Sequence, residues 1–592
     1  MPIEKRWVVR PHGDPEAVAR LASHLRMSPV LTNLLVQRGI DTVEKANKFF
    51  NPQLSDLHDP FLMKDMDKAV ERIERAVANN EKIMVYGDYD VDGTTAVALV
   101  YKFLRQIGHK NLVFYIPDRY NDGYGISIRG IDFAARKGVT LTIALDCGIK
   151  AVEKVVYAKE KGVDFIICDH HLPADEIPAA VAVLDPKRAD CNYPFDELSG
   201  CGVGFKLVQA YAMKHGIPFS EIEHLLDLLV VSIASDIVPL TGENRILAYY
   251  GLERLNRMPS SGLHSIIKIC GLDKHNITID DIVFKIGPRI NAAGRMRMDE
   301  HDENAAPSGG HAAVNLLIEG NDKQAQEFCS IIDAYNQDRK NIDRSVTQEA
   351  HDYIESHPEM KALKSTVIYN PKWMKGIVGI VASRLIETYY RPTVVLTMSN
   401  GFVTGSARSV PGFDLYQAVE SCSDLLENFG GHMYAAGLTM RPENVEAFTK
   451  RFNDYVEEHI DPEMLIPQVD IDSELLFSDI TPHFRATLAR FQPFGPGNTA
   501  PVFVTRNVSN RGDARLVGAE REHLKMDLIQ GQKPNTVIPA IAFQQPKLYE
   551  YVRTGRSIDV CYSVVENHYR GAVFAQLRIK DIKKSNPTAA KD

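Results

Sequence analysis

The chain has 592 residues, several times the size of one hydrophobic core, so we expect about three or four domains. Hydrophobic residues make up 44% of it, and no apolar run reaches the roughly 18 residues that cross a bilayer, which argues against a membrane protein. The net charge of −9 argues against a protein that coats nucleic acid. The charged N-terminus lacks the apolar stretch of a secretory signal, and the scattered cysteines contain no CxxC pair, so we expect a cytoplasmic protein without disulfides.

Residues 1–80 are predicted to form a helical N-terminal segment. The stretches DPEAVARLASHL, SPVLTNLLVQRG and DTVEKANKFFN each begin on a capping Ser or Asp and carry apolar residues at helical spacing. A fourth stretch, DMDKAVERIERAVANN, continues the pattern. From residue 81 to about 320 short apolar runs alternate with helical stretches, as in KIMVYGD, TTAVALVYKFLRQIG, LTIALDCG and FIICDHH. This alternation predicts an α/β domain with a buried parallel sheet.

The remaining chain is predicted to contain three further parts and a tail. Residues 321–356 form a long connecting helix, and residues 357–462 form a smaller α/β domain. Alternating strands and turns over residues 463–585 predict a small β-barrel, and residues 586–592 a flexible tail. Residues 466–592 hold 17 Lys and Arg against 13 Asp and Glu, so this part is the better candidate for a polyanion surface.

Four predicted strands end on an aspartate, in KIMVYGDYDVDG, LTIALDCG, FIICDHH and VAVLDP. A single aspartate at a strand end is weak evidence for a functional site, because Asp also favours turns and helix N-caps. The carboxyl ends of parallel strands line the ligand crevice of an open sheet, so four together predict one shared site.

The carboxylates of Asp88, Asp90 and Asp92 would point to one side if GDYDVDG stays extended. Three like charges so close repel each other unless a cation lies between them. Carboxylate oxygens mixed with imidazole nitrogen suit Mn²⁺ or a similar ion better than Ca²⁺. Asp236 ends a strongly apolar segment, where an unpaired charge is costly, so it also needs a cation.

The triplet Asp169-His170-His171 is the most specific local signal. In an extended segment the two imidazoles point to opposite sides, so that one can bind metal and the other can face a substrate phosphate. Alone, a surface His-His dipeptide would be the better interpretation.

These motifs resemble the DHH phosphoesterase superfamily, and in particular its RecJ branch of bacterial single-strand-specific 5′ to 3′ DNA exonucleases. YGDYDVDGTTA, ALDCG, CDHH and ASDIVPL are similar to the four motifs of the family, in the same order. GPRINAAGRM, GIVGIVASRL, GSARSVPGFD and FGGHMYAAG resemble motifs of the linker and the accessory DHHA1 domain, and FGPGNTAPVF one of the OB-type domain. The chain departs from the pattern by a polar insertion at residues 297–311, which we expect to be a mobile loop.

The resemblance implies two Mn²⁺ ions, with Mg²⁺ as a substitute, and an exonuclease that releases mononucleotides from single-stranded DNA in repair and recombination. The implied metal ligands are Asp90, Asp92, Asp146, His170 and Asp236, and the implied catalytic residues are His171, Asp169 and Asp88. A terminal phosphate needs fork-shaped donors, which Arg provides best. The candidates for DNA and phosphate binding are Arg119, Arg289, Arg295, Ser406, Arg408 and His432, with Phe503, Phe543 and Tyr562 as stacking aromatics in the barrel.

We expect a monomer that acts on a single-stranded 5′ end, with a helicase and a single-strand-binding protein as candidate partners. Three alternatives stay open. A phosphodiesterase for small oligonucleotides or cyclic dinucleotides would share the metal cluster, but would not need the barrel. A pyrophosphatase of the superfamily has a His where this chain has Tyr86, and an inactive scaffold would be expected to have lost ligands, none of which is missing.

Overall fold

The structure, a computed structural model, describes residues 4–272, 276–296, 309–531, 536–569 and 572–585. The predicted tail, 586–592, and residues 297–308 of the predicted mobile loop lie outside these ranges; residues 309–311 begin a helix. The chain forms two compact units, a larger one of Leu54–Leu465 and a smaller one of Met1–Gln53 with Ile466–Asp592. Within the described ranges, no helix has both the length and the apolar composition needed to cross a membrane.

A five-stranded parallel sheet organises the first part of the larger unit. Three of its strands are buried along their whole length, because helices cover both faces; their side chains are apolar except for the buried Thr142. The strands in spatial order are Leu112–Tyr115, Ile83–Gly87, Leu141–Leu145, Asp164–Cys168 and Ala182–Leu184. Gly87 pairs with Leu145, Leu145 with Cys168, and Cys168 with Leu184, so these four strands end at one level.

Helices surround this sheet. One of them, Val91–Gln106, begins where the Asp90 side chain accepts a hydrogen bond from the Gly93 amide. The others are Met66–Ala78, Ile128–Arg136, Val152–Glu160, Gly200–Lys214, Leu226–Ser235, Gly242–Arg257, Ser261–Ile269, Ile279–Asp281, Ile282–Ile286 (a π-helix), Gly287–Ala293 and Gly309–Ile318.

A 35-residue helix, Asp322–Ser356, leads from this part to a second, mixed sheet. Asn321 caps its start by accepting hydrogen bonds from the amides of Lys323 and Gln324. The second sheet has the strand order Leu426–His432, Ala435–Met440, Phe402–Arg408, Thr393–Ser399 and Thr366–Tyr369. Its helices are Pro358–Ala362, Lys375–Tyr389, Leu415–Glu420 and Val445–His459.

The smaller unit is a closed five-stranded barrel with additions. Its ring runs through Phe503–Asn510, Ile558–Tyr569, Ala572–Lys584, Val537–Ala542 and His523–Gln530, and the last strand pairs again with the first. Further strands are Ser473–Glu474, Arg515–Val517, Gln468–Ile471 and Arg6–Val9; the helices are Pro15–Leu25, Pro29–Gln37, Val43–Phe50, Pro482–Ala489 and Tyr549–Val552. The predicted fold class, a parallel-sheet domain, a smaller α/β domain and a C-terminal barrel, is confirmed.

The predicted N-terminal segment, residues 1–80, is divided between the two units. Leu21, Leu31 and Leu35 of its first helices pack with Phe491 and Phe503 in the core of the barrel unit. The helix Met66–Ala78 instead packs against the parallel sheet. The division follows the apolar faces, since each helix buries its own face where a complementary core is available.

Candidate metal centre

The carboxyl edge of the parallel sheet carries the predicted acidic residues. Four buried aspartates directly follow the four strands that end at one level: Asp88, Asp146, Asp169 and Asp185. Asp146 takes a left-handed backbone conformation, with φ of 58°, which Asp tolerates better than most residues. The tight packing requires glycine at position 200, because a Cβ there would lie 2.5 Å from the Cβ of Asp146.

The segment GDYDVDG does not stay extended, so the geometric argument for its three carboxylates was wrong. The helix begins at Val91, directly after Asp90, and Asp92 lies in its first turn. Asp92 accepts hydrogen bonds from the amides of Gly200 (2.7 Å) and Cys201 (2.9 Å) and from the Ser232 hydroxyl (2.6 Å). The N-terminus of a second helix thus fixes this carboxylate, and its dipole favours the negative charge.

His170 lies among three of the carboxylates. Its Nε2 is 3.2 Å from Asp146 Oδ1, 3.6 Å from Asp236 Oδ2 and 3.8 Å from Asp92 Oδ2. Asp236 reaches this position from the C-terminal end of the helix Leu226–Ser235. Within the described residues, both ring nitrogens of His170 and Oδ1 of Asp88 are buried without a hydrogen-bond partner, which is costly unless a further group binds them.

The charges of this cluster fit a divalent cation. Burial raises the pKa values of Asp88, Asp92, Asp146 and Asp236, and repulsion from neighbouring aspartates raises them further. Burial also lowers the pKa of His170, which favours the neutral imidazole that binds metal. Two groups have ligand atoms close enough to share an ion: Asp92, His170 and Asp236, and Asp146, His170 and His171. These oxygen and nitrogen donors suit Mn²⁺ or Mg²⁺.

The second histidine, His171, is held by Asp169. Its Nδ1 lies 2.7 Å from Asp169 Oδ1, and the other carboxylate oxygen accepts a hydrogen bond from the Ile149 amide at 2.9 Å. Burial opposes ionisation of both groups, but their mutual hydrogen bond prevails: it lowers the pKa of Asp169 to about 2 and raises the pKa of His171 to about 9. The imidazole is therefore a cation at neutral pH.

Tyr124 is a member of this group that the sequence did not reveal. Its hydroxyl lies 3.1 Å from His171 Nε2. It lies in the loop between the strand Leu112–Tyr115 and the helix Ile128–Arg136. The local sequence YGIS is typical of an ordinary turn. The only signal in the sequence is a tyrosine among small and polar loop residues.

Three of the predicted arginines lie near each other. The Arg119 guanidinium stacks 3.9 Å from the centre of the Tyr89 ring, and its Nε donates to the Gly294 carbonyl. Burial lowers the pKa of Arg295 to about 9, and the charges of Arg119, Arg339 and Arg408 contribute, whereas Asp90 opposes the shift. This basic group therefore adjoins the acidic cluster. Arg408 also donates to the Ser406 hydroxyl at 2.9 Å.

Arg289 and His432 lie in other environments. Arg289 donates hydrogen bonds to Asp333 of the connecting helix, at 2.9 Å, and to the Lys285 carbonyl. These bonds fix the position of its guanidinium. His432 is exposed at the end of the edge strand Leu426–His432. It shares a cross-strand row with Ala435 and Arg408, so their side chains lie on one face of the second sheet.

Two of the three predicted stacking aromatics belong to the core of the barrel. Phe503 and Tyr562 are fully buried, and the Tyr562 hydroxyl bonds to Thr505 at 2.6 Å, so their assignment to a stacking surface was wrong. Phe543 is exposed, with the Arg578 guanidinium 5.5 Å from its ring centre. Phe503 and Tyr562 lie within strands of the barrel, whereas Phe543 lies in the turn that follows the strand Val537–Ala542.

Residues 82–233 match the DHH family, N-terminal domain, residues 360–458 the DHHA1 domain, and residues 471–581 the RecJ OB domain. With the parallel sheet and its cluster of Asp and His, these matches define a phosphoesterase of the DHH class. The chain is 37% identical over 580 residues to the single-stranded-DNA-specific exonuclease RecJ of Bacillus subtilis, covering 97% of this chain and 70% of that one. It is 30% identical to the Escherichia coli RecJ, covering 94% and 96%. The chain belongs to the RecJ family, as its motifs predict.

Solved structures agree. The Thermus thermophilus RecJ in complex with Mn²⁺ matches with a TM-score of 0.81 at 25% identity, over 98% of this chain and 80% of that one. An exonuclease RecJ bound to manganese matches with a TM-score of 0.58 at 28% identity, over 69% of this chain and 98% of that one. The Thermus thermophilus RecJ has also been solved in complex with Mg²⁺.

Proposed function

We propose that this chain is a metal-dependent exonuclease that hydrolyses single-stranded DNA from its 5′ end and releases mononucleotides in DNA repair and recombination. One observation carries the proposal: the unpaired imidazole of His170 lies within 3.8 Å of three carboxylates, next to a group of arginines. An acidic centre that binds divalent cations, adjoined by a basic group that binds phosphates, is what hydrolysis of a polyanion requires. The names of the relatives in Bacillus subtilis and Escherichia coli support the choice of single-stranded DNA.

The metal ligands in this proposal are Asp90, Asp92, Asp146, His170 and Asp236. Among the carboxylates near His170 Nε2, that of Asp146 is at 3.2 Å, nearer than those of Asp236 and Asp92. Two divalent ions bound here would supply a nucleophile from water, neutralise the scissile phosphate and stabilise the leaving oxygen. Mn²⁺ is the expected metal, with Mg²⁺ as a substitute.

His171, Asp169 and Asp88 complete the centre. The cationic His171 faces the phosphate and offers its Nε2 proton, while Asp169 fixes the orientation of the ring and keeps it charged. The Tyr124 hydroxyl contacts the same nitrogen, Nε2, at 3.1 Å, so a phosphate oxygen would replace this hydroxyl as the acceptor of the Nε2 proton. Asp88 has a buried oxygen without a partner beside Asp90, which suits contact with a metal directly or through water.

Recognition of the 5′ end is assigned to Arg119, Arg295 and Arg408, whose fork-shaped donors suit a terminal phosphate, and to the single hydroxyl of Ser406. His432 lies in the same cross-strand row as Arg408 and extends this surface along the strand of DNA. Arg289, paired with Asp333, acts in this proposal by fixing the connecting helix. The proposed enzyme works as a monomer in the cytoplasm, and a helicase and a single-strand-binding protein are the partners that such a substrate implies.

The test is hydrolysis of 5′-labelled single-stranded DNA and of blunt duplex DNA with Mn²⁺. We expect mononucleotides from the single strand and little from the duplex; equally fast release from duplex ends would contradict the proposal. The matched variant is Asp146→Asn, because Asn tolerates the left-handed backbone that Asp146 adopts and Ala does not. It should bind DNA but not cleave it.

A further inference from the structure

Ile237 has a backbone conformation that its side chain disfavours. It directly follows Asp236 and has a φ of 61°, in the left-handed region. β-Branched residues rarely adopt this region, and strained residues of this kind concentrate at ligand sites. Burial in the core does not offset this strain, because 61% of the residue is exposed.

A second exposed apolar residue follows a residue of the proposed active centre in another segment of the chain. Leu172 directly follows His171 and is 70% exposed. The two segments meet at the centre, since His170 Nε2 lies 3.6 Å from Asp236 Oδ2. Leu172 and Ile237 are therefore two water-exposed aliphatic side chains, each next in sequence to a residue of the proposed active centre.

The chemistry of a nucleotide indicates what these side chains contact. In the proposed function the phosphate is bound by the metal centre and the arginines, but the base and sugar need an apolar surface. The faces of an unpaired base are free to pack against such a surface, whereas in a duplex neighbouring base pairs cover them. An aliphatic surface beside the reacting phosphate therefore favours a single strand at the point of cleavage.

We propose that Leu172 and Ile237 form an apolar rim of the metal centre that packs against the unpaired bases of the first two nucleotides, and that they determine specificity for single strands. The proposal rests on the proposed function, since it concerns the same substrate. It adds a recognition element inside the catalytic part, separate from the arginines and from the barrel.

The experiment combines a protein variant with a modified substrate. The double variant Leu172→Ser with Ile237→Asn removes the apolar surface, and Asn also suits the left-handed backbone at position 237. The substrates are one single-stranded oligonucleotide with all its bases and the same oligonucleotide with abasic residues in its first two positions. Loss of base packing should lower the wild-type kcat/KM on the abasic substrate about tenfold.

The kcat/KM of the double variant on the normal oligonucleotide should be about tenfold below that of the wild type. It should not fall further on the abasic oligonucleotide. The conservative variant Leu172→Met with Ile237→Val should behave as the wild type. Met258→Asn is the matched control: Met258 is 62% exposed, follows the far end of the helix Gly242–Arg257, and should leave both rates unchanged.

The rim proposal would be contradicted if the double variant kept the full wild-type preference for normal over abasic DNA, even with a lower overall rate. Thermal unfolding of the metal-loaded variants separates this result from misfolding, because an intact rim variant unfolds at the wild-type temperature or above it, since Asn relieves the strain at position 237. If the wild type hydrolyses neither oligonucleotide, the proposed function itself fails, and the rim proposal fails with it.

Discussion

Nδ1 of His171 lies 2.7 Å from Oδ1 of Asp169, and this contact keeps the imidazole charged. It raises the pKa of His171 to about 9, against its usual value near 6.5. The cation is therefore present below about pH 9 and is lost as the pH rises through that value. In Asp169→Asn the carboxylate is absent, so the pKa of His171 should fall and the charge should be lost at lower pH.

For Asp169→Asn we expect kcat/KM on single-stranded DNA to drop about 10- to 100-fold at pH 8. The deficit should shrink towards pH 6, where the histidine regains its proton. A pH profile of wild type and variant checks this. A loss of the same size at every pH would argue that Asp169 has only a structural role.

Metal binding should be visible as stability. Mn²⁺ at a hundred times its Kd should raise the free energy of unfolding of the wild type by about 2.7 kcal/mol for each ion bound. Metal-free Asp146→Asn should be more stable than the metal-free wild type, on the order of 1 kcal/mol, because one repelling carboxylate is gone. It should also lose most of the response to Mn²⁺. Thermal unfolding with EDTA and with Mn²⁺ measures both effects.

The control for this experiment is Asp175→Asn, an exposed residue of the loop after the His-His pair. It should keep the full Mn²⁺ response. If Asp146→Asn were instead less stable than the wild type without metal, the account of mutual carboxylate repulsion would be incorrect.

Arg408 should discriminate between the chemical forms of the 5′ end. Arg408→Gln removes a forked donor, so kcat/KM on 5′-phosphorylated DNA should fall about 10- to 100-fold, whereas 5′-hydroxyl DNA should be affected little. Arg289→Gln is the matched control, because its guanidinium is engaged by Asp333. That variant should keep the wild-type ratio between the two substrates, and a changed ratio would assign Arg289 to the phosphate site.

Phe543 should bind DNA, whereas Tyr562 should not. Phe543 is 43% exposed beside Arg578, so Phe543→Ala should raise the Kd for single-stranded DNA about tenfold. Tyr562→Phe removes only a buried hydrogen bond to Thr505, which should cost about 1 kcal/mol of stability and leave the Kd unchanged. Fluorescence anisotropy and urea unfolding measure these quantities. Equal effects of both variants on the Kd would contradict this assignment.

Local patterns in the sequence determined the parallel sheet and the set of residues at its edge. Continuous apolar runs predict buried strands, and parallel strands bring their carboxyl ends to one edge, so Asp88, Asp146 and Asp169 could be assigned to one site before any coordinates. The Asp-His-His triplet and the order of the motifs then predicted the family. The sheet and its edge follow from the periodicity of neighbouring residues, whereas the family follows from the resemblance of these motifs to known ones.

Long-range packing decided the rest. Asp92 is fixed by the amides of residues 200 and 201, more than a hundred positions away, and the sequence does not state that contact. The same holds for Tyr124 beside His171, for Asp333 beside Arg289, and for the first helices, whose apolar faces lie in the barrel core. Hydrophobic burial is not directional, so an amphipathic pattern indicates that a face is covered, and only the tertiary structure decides by what.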